Sequence, residues 1–151
     1  MAASVNAAGV AKHYTKGGKL IQRLTASFLA AGIDVKTSVK TTDLDPVDEF
    51  HLGGRGTAEK LFDLLSLPED KGEGALKLLD IGAGLGGPAR IVADRYAKAH
   101  VTGIDLTPDY VDAANSISKW PGIELAERCT FQTGDAIALD ESFAEGTFDA
   151  A

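Results

Sequence analysis

"LLDIGAGLGGPAR", residues 78–90, decides the fold. An apolar run ends in an acid, Asp80, and passes through Gly82, Gly84, Gly86 and Gly87 to Pro88. Residues 75–81 read as a buried strand. Residues 86–98 read as a helix with Pro88 in its first turn, where the missing N–H costs nothing. The glycines let the chain turn sharply between the two and let a ligand lie against bare backbone.

Downstream the alternation repeats. "HVTGIDL" (100–106) reads as a second strand, and Thr107-Pro108-Asp109 opens a helix over 108–119 with Tyr110, Val111, Ala114 and Ile117 facing the core. "CTFQTG" (129–134) is a third strand with Cys129 and Phe131 on one side, and "FDAA" (148–151) begins another. Strand–helix–strand–helix–strand predicts an α/β fold of parallel strands with right-handed crossovers and flanking helices. Upstream, residues 19–31 read as a helix with Leu20, Ile21, Leu24, Phe28 and Ala31 on one face. Residues 34–56 read as a connection, punctuated by Asp45-Pro46 and Gly53-Gly54. A second helix follows, with Thr57 as N-cap and Leu61, Leu64 and Leu65 as its apolar stripe, and then a charged loop, 68–74. The expected division is an N-terminal helical cap or lid over 1–56 and a cofactor-binding unit over 57–151. The chain stops within an apparent strand at Ala151. A partial protein is therefore expected, with the C-terminal half of the sheet missing and strand one open to self-association.

Composition sets the outer bounds. The 151 residues make one domain, with 44% hydrophobic and 25% charged residues. A net charge of −7 argues against nucleic acid as partner. No apolar run approaches a membrane span. One cysteine, Cys129, precludes an internal disulfide and suits a reducing, cytoplasmic setting. Residues 1–33 hold four Lys/Arg and no acid, a faint likeness to an organelle transit peptide.

The glycines satisfy G-x-G-x-x-G at Gly82, Gly84 and Gly87, and Asp105 closes the next strand 23 residues after Gly82. That placing suits a carboxylate gripping ribose hydroxyls. A pyrophosphate at this turn would be repelled by Asp80, whereas a cofactor carrying positive charge and no phosphate would be attracted. S-adenosylmethionine has those properties, and Asp80 would help hold its ammonium; the alternative is that Asp80 caps the turn.

Asp80-Ile81-Gly82-Ala83-Gly84-Leu85-Gly86 resembles the first motif of class I S-adenosylmethionine-dependent methyltransferases. Asp105 resembles their ribose-binding acid, Gly134-Asp135-Ala136 the motif whose acid meets the adenine amino group, and Phe148-Asp149-Ala150 the start of their fourth strand. "DLDPVDEFHLGGRGTAEKLFDLL" (43–65) resembles the segment before the core in small-molecule methyltransferases such as the sarcosine/dimethylglycine N-methyltransferases. The resemblance implies a Rossmann-like sheet and methyl transfer to a small-molecule acceptor by in-line displacement. The implied cofactor residues are Asp80, Gly82, Ala83, Gly84, Asp105, Leu106, Asp135 and Ala136. Leu106 either packs on the adenine or closes the strand-end core. Tyr14 and His51 are substrate-side candidates, each with a bland alternative: a surface or core tyrosine, and a capping histidine. His100 reads as structural and Cys129 as a small buried hydrophobe. No His/Cys/Asp/Glu cluster has metal-ligand spacing. No catalytic base is evident, and in-line displacement needs one only where the acceptor must first lose a proton. The competing readings are a nicotinamide-dependent oxidoreductase, NAD(P) sharing the glycines and Asp105, and a cofactor-binding fragment without activity.

Overall fold

A computed structural model describes residues 19–37, 39–48, 53–65, 67 and 74–151. Three strands, β1 (Leu76–Ile81), β2 (Ala99–Asp105) and β3 (Cys129–Thr133), form a parallel sheet in the order β1-β2-β3. The register pairs Leu76 with Ala99, Asp80 with Gly103, Val101 with Cys129 and Asp105 with Thr133. The parallel α/β architecture expected from the alternation is present.

The strands show why they form. Leu76 and Leu78, Val101, and Cys129 and Phe131 point to one face and are buried. Lys77, His100, Thr130 and Gln132 point to the other and are exposed. On the buried face lie α4 (Gly87–Arg95) and α5 (Pro108–Ile117), the two crossover helices, which add Ala89, Val92, Ala93, Val111 and Ala114 to the same core. Each large side chain removed from water there contributes about 1.5–3 kcal/mol. Helix α4 ends at Arg95, short of the expected 98, because Tyr96 turns to an extended conformation and β2 starts at Ala99. The Arg128 guanidinium donates to the carbonyls of Ala93, Tyr96 and Ala99 and so caps that end of α4.

The N-terminal helices complete a second core. Helix α1 (Leu20–Ala30) buries Phe28; Leu20, Ile21 and Leu24 are packed against the same cluster, whereas Ala31, expected on that face, is exposed just past the helix end. Residues 34–56 are not a plain connection. They contain α2 (Thr41–Asp48), with Pro46 inside it. Asp43 Oδ2 accepts the Lys40 N–H at 2.8 Å, a back-bond to the residue before the helix that offsets the weak propensity of this short segment. Helix α3 (Gly54–Leu65) starts at the glycine pair, so Thr57 lies within it and is not its N-cap. Arg55 forms a bidentate pair with Asp45, at 2.7 and 2.9 Å, tying α3 to α2. The residues of α3 that meet the core are Ala58 and Phe62, and the expected stripe of Leu61, Leu64 and Leu65 is 45–79% exposed. A short helix, α6 (Ile123–Arg128), follows the Trp120-Pro121-Gly122 turn and carries too few residues to show a period in the sequence.

Both edges of the sheet have partners. Residues 149–150 run parallel to β1: Asp149 N–H donates to Lys77 O at 2.7 Å and Leu79 N–H to Ala150 O at 3.0 Å, while Asp149 Oδ2 accepts Lys77 N–H. The expected strand at 148–151 is thus an isolated bridge, Leu78 to Ala150. Along this stretch the edge of strand one, expected to be open, is covered. On the other edge, the Asn115 amide donates to Phe131 O and accepts from Phe131 N–H. No described helix is long and apolar enough to cross a membrane.

Candidate functional site

The candidate site lies at the carboxyl ends of the three strands, where β1 gives Asp80, β2 gives Asp105 and β3 runs on into Gly134-Asp135. Parallel strands bring all three ends to one edge, and this is where ligands of such sheets bind.

The glycine turn follows β1. Gly82, Gly84 and Gly86 have φ of +77°, +55° and +81°, a region that side chains disfavour. They differ in surroundings. Nothing lies within 4 Å of the position a Cβ would take at Gly82 or Gly84, so bare backbone faces open space there. At Gly86 a Cβ would come within 2.7 Å of Phe131 Cε1, and at Gly103 it would meet the same ring and Ala83. The Phe131 ring therefore supports the turn from beneath. The amides of the turn are already engaged: Gly82 N–H and Ala83 N–H donate to Ile104 O at 2.8 and 2.9 Å, and Gly86 N–H to Ala83 O at 2.8 Å. Gly84 N–H donates to Asp105 Oδ2 at 2.9 Å.

Asp105 thus clips two loops. Its Oδ1 accepts Thr107 N–H at 2.8 Å while Oδ2 holds Gly84. Each carboxylate oxygen has a further lone pair, so hydroxyls could be accepted beside the backbone amides. Leu106, next in the chain, is half-buried, as is Asp80 at the end of β1, which lines a pocket with Phe62, Pro88 and Ala89, and Ala83 is buried within the turn. Asp135 Oδ1 accepts Ile137 N–H at 3.1 Å and closes a turn after β3, with Ala136 exposed. Tyr14 and His51 lie outside the described residues. His100 is exposed on the opposite sheet face. Cys129 is buried, and desolvation pushes its thiol up to about 11. Among the described residues no group of three His, Cys, Asp or Glu could hold a metal.

Phe131, Thr107 and Arg90 shape the site without having been singled out in the sequence for that role. Phe131 showed only its strand period. The spacing of Asp105 to Gly84, 21 residues, carries no local signal of the bond between them.

Residues 78–151 match the methyltransferase domain family. This bears out, for that stretch, the resemblance drawn from the motifs. The probable chloroplastic tocopherol O-methyltransferase of Oryza sativa subsp. japonica is 33% identical over 84 residues, which are 56% of this chain and 22% of that protein. The ajmaline N-methyltransferase of Rauvolfia serpentina is 31% identical over 101 residues, 64% of this chain and 33% of that protein. Among solved structures, a geranyl diphosphate methyltransferase in complex with GPP and sinefungin superposes with a TM-score of 0.51 at 26% identity, covering 62% of this chain and 31% of that one. The chain spans between about a fifth and a third of the length of these proteins.

Proposed function

We propose, from the methyltransferase domain that residues 78–151 carry, that the chain binds S-adenosylmethionine over the glycine turn and takes part in methyl transfer to a small-molecule acceptor. The observation that carries the reading is the sign of the donors and acceptors at the strand ends. Carboxylates stand there at Asp80, Asp105 and Asp135, and the amides of Gly82, Ala83, Gly84 and Gly86 are bonded within the protein. A pyrophosphate would meet like charge. A cation with hydroxyl and amino donors would meet acceptors. This disfavours a nicotinamide dinucleotide and suits a sulfonium nucleoside.

The roles we assign are those the resemblance implies. Gly82, Ala83 and Gly84 offer close backbone approach. Asp80 attracts the ammonium, Asp105 takes ribose hydroxyls, and Leu106 packs on the adenine whose amino group meets the Asp135-Ala136 segment. Tyr14 and His51 remain substrate-side candidates, and residues 1–56 a cap over the unit 57–151. When bound, the cofactor supplies an activated methyl group on a good leaving group. The protein's part is orientation and exclusion of water. The relatives' names specify oxygen in one case and nitrogen in the other as the methylated atom, so the shared segment speaks for the cofactor half of the reaction. The acceptor class we assign is a small organic molecule, as in their names, and the compartment the cytoplasm, on the single buried thiol.

Titration calorimetry tests this. The chain should bind S-adenosylmethionine and not NAD. Asp105→Ala should weaken binding by about 1–3 kcal/mol, roughly 5- to 150-fold, in protein whose circular dichroism is unchanged. Binding of NAD in place of S-adenosylmethionine would overturn the assignment, and equal affinity of the variant would remove Asp105 from the site.

A further inference from the structure

Arg90 is 1% exposed, the largest fully buried side chain among the described residues. Burying a guanidinium is costly, and it is sustained only by strong, well-placed acceptors. Arg90 Nη2 donates to Leu85 O at 2.6 Å and Nη1 to Ser118 Oγ at 3.0 Å. Leu85 is the residue between Gly84 and Gly86. Its side chain, 1% exposed, is driven the other way, into the cluster of Phe28, Val39, Leu44, Ala113 and Ile117. Ser118, wholly buried, closes the C-terminal end of α5. The turn is therefore held from behind at one residue. The Leu85 carbonyl is pinned by a charged donor tied to α5, and the Leu85 side chain is socketed among the N-terminal helices. Arg90 also stands close to Gly86, where a Cβ would lie 3.0 Å from Nη1.

We propose that Arg90 is a positioning residue for the cofactor turn. It fixes the Leu85–Gly86 peptide plane, and through it the set of the turn that leaves the adjoining Gly84 facing open space, while its own guanidinium stays behind the turn. The proposal rests on the reading of this turn as the cofactor site. Glycines at positive φ have shallow preferences of their own, so the conformation that a ligand meets must be imposed by neighbours. A charged hydrogen bond to Leu85, which stands between Gly84 and Gly86, does so.

The test uses the full chain, with Arg90→Met, Arg90→Lys and Ser118→Ala beside the wild type. Two readouts are taken: affinity for S-adenosylmethionine by calorimetry, and amide hydrogen exchange resolved by residue. Arg90→Met should bind about tenfold or more weakly, the scale of one lost charged hydrogen bond. Gly84 and Gly86 amides should exchange faster while Gly103 in β2 is unchanged. Arg90→Lys, which can still donate to Leu85 O, should recover part of both effects, and Ser118→Ala should show both in weaker form. Wild-type affinity and wild-type exchange at Gly84 and Gly86 in folded Arg90→Met would overturn the proposal. Should that variant fail to fold, unchanged readouts in Ser118→Ala would overturn it instead. If the wild type itself does not bind S-adenosylmethionine, the cofactor reading fails, and the exchange data alone decide whether Arg90 holds the turn.

Discussion

Gly86 carries two constraints at once, a φ of +81° and a Phe131 ring where its Cβ would stand. Gly84 carries only the first. Gly86→Ala should therefore cost roughly 2–5 kcal/mol, the sum of a left-handed backbone penalty and overpacking, and Gly84→Ala roughly 1–2 kcal/mol. Urea unfolding of the two variants measures the difference. Phe131→Leu in the Gly86→Ala background should return part of the loss, because it removes the ring atoms that clash; no recovery would mean the strain lies in the backbone alone. Asp105 shows the same economy of position. Both its oxygens hold backbone amides, so Asp105→Asn must turn an NH2 toward one of two N–H donors. A loss of about 1–3 kcal/mol is expected from the amide left without an acceptor, read as a lowered melting temperature without any ligand present.

At the scale of elements, side chains stand in for missing backbone. Asn115 does on the outer edge of β3 what another strand would do, meeting both polar groups of Phe131. Asn115→Leu should leave them unpaired and the edge open to a second chain. The expected results are reduced stability and concentration-dependent association in sedimentation; a monomer at all concentrations would show that the edge is protected by something else. Helix α2 depends on a similar device. Its Asp43 carboxylate holds the Lys40 N–H, and Asp43→Ala should lower stability by roughly 0.5–2 kcal/mol, measurable by denaturant titration. The same bond explains why a stretch containing Asp45-Pro46 is helical. Proline six residues into an eight-residue helix forfeits one hydrogen bond, and the Asp43 back-bond and the Arg55–Asp45 pair offset that loss.

For the molecule as a whole, the buried thiol couples global stability to pH. Folded Cys129 holds its proton up to about 11, against 9.0 for an ordinary thiol, mainly through desolvation. Between those values the unfolded chain releases a proton that the folded chain retains. Stability must then fall as pH rises through that window, by up to roughly 1.4 kcal/mol per pH unit. Lysines and tyrosines titrate there too, so the measurement is a comparison. The stability gap between wild type and Cys129→Ala should be constant below pH 9 and narrow above it. A constant gap up to pH 11 would mean that the thiol reaches solvent. The two sheet faces also differ. Helices α3 to α5 pack the apolar face, while Lys77, His100, Thr130 and Gln132 on the other line an open cavity together with the stacked pair Phe143 and Phe148.

What the sequence determined alone is whatever repeats or turns locally. The period-two strands, the longer helices and the glycine bend after Asp80 each express themselves within a dozen residues, because side-chain alternation and positive φ are properties of the chain itself. The same stretch carried the family motifs. What only the tertiary structure decided is set by contacts across long separations. Gly84 bonds to a carboxylate 21 residues on, Arg90 reaches Ser118 28 residues on, and Asn115 finishes a strand 16 residues on. The face that α3 turns inward and the covered edge of β1 belong with these. Their energies come from burial and hydrogen bonds between residues brought together by folding, and no window along the chain contains both partners.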